Sequence, residues 1–170
     1  MTRVALLQTT TGIDPQANAA ALVAGIEDAA RGGAAMLFTP EMSGLLDRDR
    51  QRAAPHVVAE EASPVLAAVR EAARANRLWV ALGSLAVARD DGRWANRSFV
   101  IDDGGAIVAR YDKIHMFDVD LAGGESYRES HNFRAGDVPR AGACARYSCS
   151  CRFAGDPGVA RQGGEPRLPD

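Results

Sequence analysis

The order of apolar and polar positions divides the chain into alternating short and long elements. Residues 3–8 alternate weakly and are rich in Val and Leu, which predicts a buried first strand. Asp14-Pro15 supplies an N-cap acceptor followed by proline at the first helical position. Leu22, Ile26, Ala29 and Ala30 then recur at helical spacing, and Gly32-Gly33 closes the helix. Ala35 to Thr39 is a short apolar run, a second buried strand, stopped by Pro40. Strand, helix and strand in that order predict a β-α-β unit with parallel strands. Residues 41–62 are polar and irregular, with a short helix. Ser63-Pro64 repeats the cap-and-proline signal, and Leu66, Val69 and Ala73 give the buried stripe of a second long helix. Leu78 to Leu85 predicts a third strand and Trp94 to Ile101 a fourth, joined through Asp91-Gly92. Asp103-Gly104-Gly105 turns the chain into a fifth, Ala106 to Tyr111. The pattern fits a layered α/β sheet with helices on one face.

Past Tyr111 the periodicity fades. Residues 112–137 mix acidic, glycine and aromatic residues, and a loop of that length in a compact domain is a functional segment or a disordered one. Residues 138–170 hold four of the eight prolines, five glycines and only four residues from Leu, Ile, Val and Phe. So little apolar surface does not offset the entropy of ordering the chain. The expected organisation is one domain over residues 1–137 and a disordered or frame-shifted tail over 138–170.

Composition narrows the function classes. A chain of 170 residues has room for one core, and 46% hydrophobic with 25% charged residues is ordinary for a globular protein. A formal net charge of −2 gives no reason to expect nucleic acid or an anionic membrane as partner. No apolar run approaches the ~20 residues of a membrane span. The first residues are too short and too soon polar for a secretion signal, so the expected location is cytoplasmic. Neither a G-x-G-x-x-G nor a P-loop follows any strand, and Gly32-Gly33 closes a helix instead of opening one, which argues against a nucleotide-binding module. Cys144, Cys149 and Cys151 form no disulfide framework, and the Cys149-Ser150-Cys151 pair lacks companion ligands, so no metal site is expected.

One residue choice stands out. Lys113 is the only lysine in a chain that otherwise uses arginine. Lysine offers a compact ammonium on a thin stem, with a pKa that moves readily when the group is buried. Its exclusive use at one place points to a site needing a point charge, the alternative being a surface lysine left by arginine-biased coding. Lys113 follows a predicted strand end, as does Glu41, which comes directly after Pro40. Ligands in parallel α/β sheets bind beyond the carboxyl ends of strands. The plain alternative for Glu41 is a solvated turn carboxylate. Glu125 and Glu129 have the alternative of surface pairing with Arg128 or Arg134, and His115, Phe117 and Tyr127 are placed in core or loop packing ahead of a pocket lining.

Three strings together carry a family resemblance: Phe38-Thr39-Pro40-Glu41, then Tyr111-Asp112-Lys113-Ile114-His115-Met116-Phe117-Asp118-Val119-Asp120, then Glu125-Ser126-Tyr127-Arg128-Glu129-Ser130. Over residues 1–137 the chain resembles the nitrilase superfamily of carbon–nitrogen hydrolases, above all its ω-amidase and deaminated-glutathione-amidase branch. The resemblance implies the N-terminal half of an α-β-β-α sandwich. It implies an amidase acting on a small non-peptide amide through a Glu-Lys-Cys mechanism, without cofactor or metal, in a family whose members are often homo-oligomers. Glu41 matches the general base, Lys113 the cation at the oxyanion, and Glu129 the second acidic residue. A thiol beside a base is a competent nucleophile, and a fixed cation at a developing oxyanion is a large catalytic term.

The same comparison locates a departure. The family's nucleophile lies roughly forty residues beyond the lysine, in a strand that leads into a segment like C-Y-D-x-R-F-P. Here the chain reads Arg146-Tyr147-Ser148-Cys149-Ser150-Cys151-Arg152-Phe153. Setting Arg152-Phe153 on the family's Arg-Phe puts Ser148 at the nucleophile position. Cys149 is the remaining candidate nucleophile, without the preceding apolar strand. The competing expectation is therefore a truncated or frame-shifted chain, catalytically inactive for want of the cysteine.

Overall fold

The computed structural model describes residues 2–120, 124 and 126–137, and the backbone of two further strands, 141–144 and 149–152. Its centre is a five-stranded sheet in which neighbours in sequence are neighbours in space: β1 (Val4–Leu6), β2 (Met36–Phe38), β3 (Trp79–Ala88), β4 (Trp94–Ile101) and β5 (Ile107–Asp112). The first three run parallel, linked by α1 (Pro15–Arg31) and α3 (Pro64–Asn76). The last three form an antiparallel meander. The β-α-β start, the meander and both long helices follow the hydrophobic pattern.

Both helices begin where their caps dictate. Asp14 accepts from the backbone N–H groups of Gln16 and Ala17, and Ser63 from that of Leu66. Such caps contribute about 1 kcal/mol each. Leu22 and Ile26 of α1 pack with Leu66, Val69 and Ala73 of α3 over Leu37, Val80, Leu82, Phe99 and Ile101 of the sheet. Burial of each large side chain stabilises by about 1.5–3 kcal/mol, so this layer is the main source of stability. The other face of the sheet carries a smaller cluster, Met36, Trp79 and Val100. Alternation along β4 thus sends Phe99 and Ile101 toward the helices, and Asn96, Ser98 and Val100 to the opposite face.

The irregular stretch between β2 and α3 contains α2 (Arg50–Ala53) and two 3₁₀ turns. Where the sequence shows no periodicity after Tyr111, β6 (Asp118–Asp120) pairs with β7 (Ser126–Arg128) as a small antiparallel ribbon. Strands of only three residues are too short to leave a readable alternation. In the region expected to lack strands, β8 (Ala141–Cys144) pairs with β9 (Cys149–Arg152). These two form a sheet of their own, apart from the five-stranded one. The other residues of the 138–170 tail lie outside the described set, as does Glu125. No helix among the described residues is long and apolar enough to cross a membrane.

Candidate active site

Because β2 and β5 both run parallel to β3, their carboxyl ends emerge at one edge of the sheet, beside the start of β4. Lys113 leaves that edge directly after β5. Its backbone N–H bonds the carbonyl of Asn96 (2.9 Å), and its own carbonyl accepts from Gly136 (3.0 Å). Glu41 leaves three residues after β2 and must cross the end of β3 to reach it.

The crossing is built from a bulge and a set of hydroxyls. The β3–β4 register shifts between Leu82 and Leu85, which places Gly83 and Ser84 in a bulge. At Gly83 a Cβ would lie 2.5 Å from the Pro40 carbonyl carbon, so only glycine lets the turn pass this close. Thr39 Oγ1 accepts from the Gly83 N–H (3.0 Å), and Ser84 Oγ accepts from the Met42 N–H (2.8 Å). Ser84 also accepts Ser43 N–H through its carbonyl (2.9 Å). Ser43 Oγ donates to the Pro40 carbonyl, and Asn18 of α1 donates to Gly44 (3.0 Å). Together these hold Met42 in the left-handed region, at φ 53°. Such a conformation costs about 1–3 kcal/mol for a residue with a side chain, and bulges and strain of this kind gather at functional sites.

The side chains then converge. Lys113 Nζ donates to Glu41 Oε1 at 2.9 Å and to Glu129 Oε2 at 3.0 Å. Glu129, brought in by the 3₁₀ turn after β7, is buried (7% exposed) and also accepts from the Phe117 N–H at 2.7 Å. Asn96 donates from one amide nitrogen to both acids, at 2.7 Å to Glu41 Oε1 and 3.1 Å to Glu129 Oε1. Glu41 differs from Glu129 in being open to solvent, with 57% of its side chain exposed. Among the described residues both of its bonds fall on Oε1, and Oε2 takes none.

Burial pushes the Glu41 carboxyl up, but the bonds from Lys113 and Asn96 and the Lys113 charge outweigh it and hold the group below its ordinary range. Burial likewise works to lower Lys113, and the bonds and charges of Glu41 and Glu129 override it, leaving the ammonium above its ordinary value. An ammonium has three N–H groups. Here Nζ makes three contacts with the glutamates, one to Glu41 and two to Glu129, which fix where its charge sits.

The three acidic and basic positions read from the sequence are thus brought together. The surface alternative for Glu129 does not hold: Arg128 pairs with Asp120 and Arg134 with Asp91 instead. Nor are Phe117 and Tyr127 core residues; both are exposed (59% and 52%) and their rings meet at 5.8 Å on the β6–β7 ribbon. His115 is exposed as well. The Cys149 backbone belongs to β9, and its side chain lies outside the described residues. Asn96, Gly83 and Ser84 were not singled out in the sequence. Their signals were present: an asparagine within β4 and a Gly-Ser pair inside the otherwise apolar β3. A cavity of about 340 Å³ lies elsewhere, between the first turn of α3 and β5, and includes none of these groups.

The family model described as carbon-nitrogen hydrolase matches residues 3–150, and the chain belongs to that family within the nitrilase superfamily. It is 34% identical over 137 residues to the deaminated glutathione amidase of Yersinia enterocolitica, covering 79% of this chain and 47% of that protein. It is 29% identical over 142 residues to the chloroplastic omega-amidase of Arabidopsis thaliana, covering 80% and 37%. The chain therefore spans less than half the length of these relatives. Among solved structures it shares the fold of a variant amidase from Nesterenkonia sp. that carries a Michael adduct of acrylamide at its active-site cysteine. The TM-score is 0.69 and the identity 23%, over 83% of this chain and 52% of that one.

Proposed function

We propose that the chain carries the base and oxyanion-binding part of an amidase site for small non-peptide amides. The observation that supports this most is the sharing of Lys113 Nζ between the exposed Glu41 and the buried Glu129. Glu41 acts as general base through its open carboxylate. Lys113 stabilises the oxyanion that forms when a nucleophile adds to the amide carbon. Glu129 fixes Lys113 from the buried side. The nucleophile in this scheme is a cysteine, as in the Nesterenkonia amidase, and Cys149 is the candidate here. A small amide fits a site framed by one ammonium and an exposed carboxylate, and the mechanism needs no metal or organic cofactor. Dimers or larger assemblies and a cytoplasmic location are part of the same reading.

A second reading has its own support. The segment around Cys149 lacks the family's cysteine string, and β9 pairs with β8 and not with the sheet that holds Glu41 and Lys113. On this reading the 138–170 tail is a frame-shifted appendage, and the chain binds an amide without turning it over. Release of ammonia from a small ω-amide, with mass spectrometry for an acyl adduct, separates the two. Turnover with an adduct on Cys149, both lost in Cys149→Ala, establishes the enzyme. Binding at background turnover establishes the inactive chain.

A further inference from the structure

We infer that Asn96 is a positioning residue that makes the two glutamates unequal, directing any proton Glu41 takes to Oε2 and confining Glu129 to an anchoring role. The inference rests on Glu41 being the base of the proposed site. A side-chain amide nitrogen has two N–H groups, and here one goes to each acid. Both contacts are to carboxylate acceptors, so only the nitrogen end of the amide fits this position. On Glu41 the Asn96 bond joins the Lys113 bond at the same oxygen, which fills both lone-pair directions of Oε1. Oε2 is then the atom left to receive a proton from a nucleophile. On Glu129 the four donor contacts, two from Lys113 and one each from Asn96 and the Phe117 N–H, spread over both oxygens. No lone pair there is left for chemistry.

Residue chemistry explains why asparagine stands at this place in a chain rich in arginine. An arginine would bring a second cation against Lys113, and an aspartate a third carboxylate against two others. Asparagine donates twice and adds no charge. It is almost fully buried, at 3% exposed, and its backbone carbonyl already receives the Lys113 N–H. One residue thus aligns the backbone of the cation and the side chains of both acids.

The test is a titration of the full chain followed by carboxyl ¹³C NMR, with the Lys113 ammonium as a second probe. In Asn96→Ala one donor leaves Oε1, and the Glu41 midpoint is expected to move up toward or past its ordinary range. In Asn96→Asp, which keeps the volume, it should move up further and titrate together with the new acid. An unchanged Glu41 midpoint in either folded variant overturns the inference, even where the unfolding temperature drops, because a merely structural role moves only the latter. Should both variants fail to fold, the wild-type chain decides. The two Asn96 amide protons are expected to be distinct and slow to exchange with water, and exchange at the rate of a free amide overturns the claim. None of these measurements needs turnover. A chain that hydrolyses nothing leaves the Asn96 test intact and counts against the proposed function alone.

Discussion

Replacing Gly83 by alanine tests whether the β3 bulge holds Glu41 in place. The added Cβ would lie 2.5 Å from the Pro40 carbonyl carbon, and closer to the Thr39 and Pro40 carbonyl oxygens. All three are backbone atoms, so no side chain can swing aside. The turn must lift off β3 by roughly 1 Å, the shortfall from an ordinary van der Waals separation. Lifting it strains the bonds from Gly83 N to Thr39 Oγ1, Met42 N to Ser84 Oγ and Ser43 N to the Ser84 carbonyl. Losing two of these at about 0.5–1.5 kcal/mol each, with about 1–3 kcal/mol for overpacking, gives a cost of about 2–6 kcal/mol. That is a large part of the ~5–15 kcal/mol that holds a domain folded. Urea unfolding followed by tryptophan fluorescence measures it. Gly12→Ala is the control, because its nearest neighbour would be 3.8 Å away, and it should fall within about 0.5 kcal/mol of wild type. A cost below about 1 kcal/mol for Gly83→Ala, with the Glu41–Lys113 pair intact, would refute the reasoning.

Further outcomes follow from the same geometry. Arg97 grips Asp112 with two nitrogens, at 2.6 and 2.9 Å, and reaches Glu60 at 3.0 Å; Arg97→Met removes these bonds but leaves Asp112 with Arg89 and Glu60 with Arg110, and should cost about 1.5–3 kcal/mol in urea unfolding. Lys113→Arg should abolish amide binding, measured calorimetrically, because a planar fork cannot replace a point charge shared by two acids. Glu41 is held below its ordinary value and Lys113 above its own. The contribution of Glu41 is therefore complete above the ordinary carboxylate range and lost as pH falls through its lowered value. That of Lys113 is complete below the ordinary lysine range and lost as pH rises through its raised value. The stability difference between wild type and Glu41→Gln should accordingly be largest between those limits and shrink at both ends, and a flat difference would contradict the pairing. On the inactive reading a small ω-amide yields ammonia only at background rate, since a nucleophile misplaced by ~1 Å can cost about a hundredfold; turnover lost in Cys149→Ala would refute that reading.

What was legible in the sequence depended on range. Asp14-Pro15 and Ser63-Pro64 mark helix starts through bonds spanning two or three residues, and α1 and α3 begin there. Glu41 and Lys113 stood out because each follows a strand end, and the parallel order of β2, β3 and β5 carries them to one edge. Asn96 was not legible as part of the site. Its role depends on β4 lying beside β5 and on Glu41 crossing β3, and neither is encoded near residue 96. Gly83-Ser84 reads locally as a flaw in a strand, and becomes a support only with Pro40 lying over it. Glu129 was placed in the site by the family resemblance, while its neighbours Arg128 and Arg134 alone suggested a surface acid; those arginines are taken by Asp120 and Asp91.

Because Lys113 is the only lysine, a chain labelled with [¹³C,¹⁵N]lysine gives one side-chain NMR signal, and that signal reports the proposed site directly. The account predicts an ammonium titrating above the ordinary lysine value, a shift when a small amide is added, and a lower midpoint in Glu41→Gln, where Glu129 alone still pairs with it. A signal that titrates as free lysine and ignores the amide would contradict it.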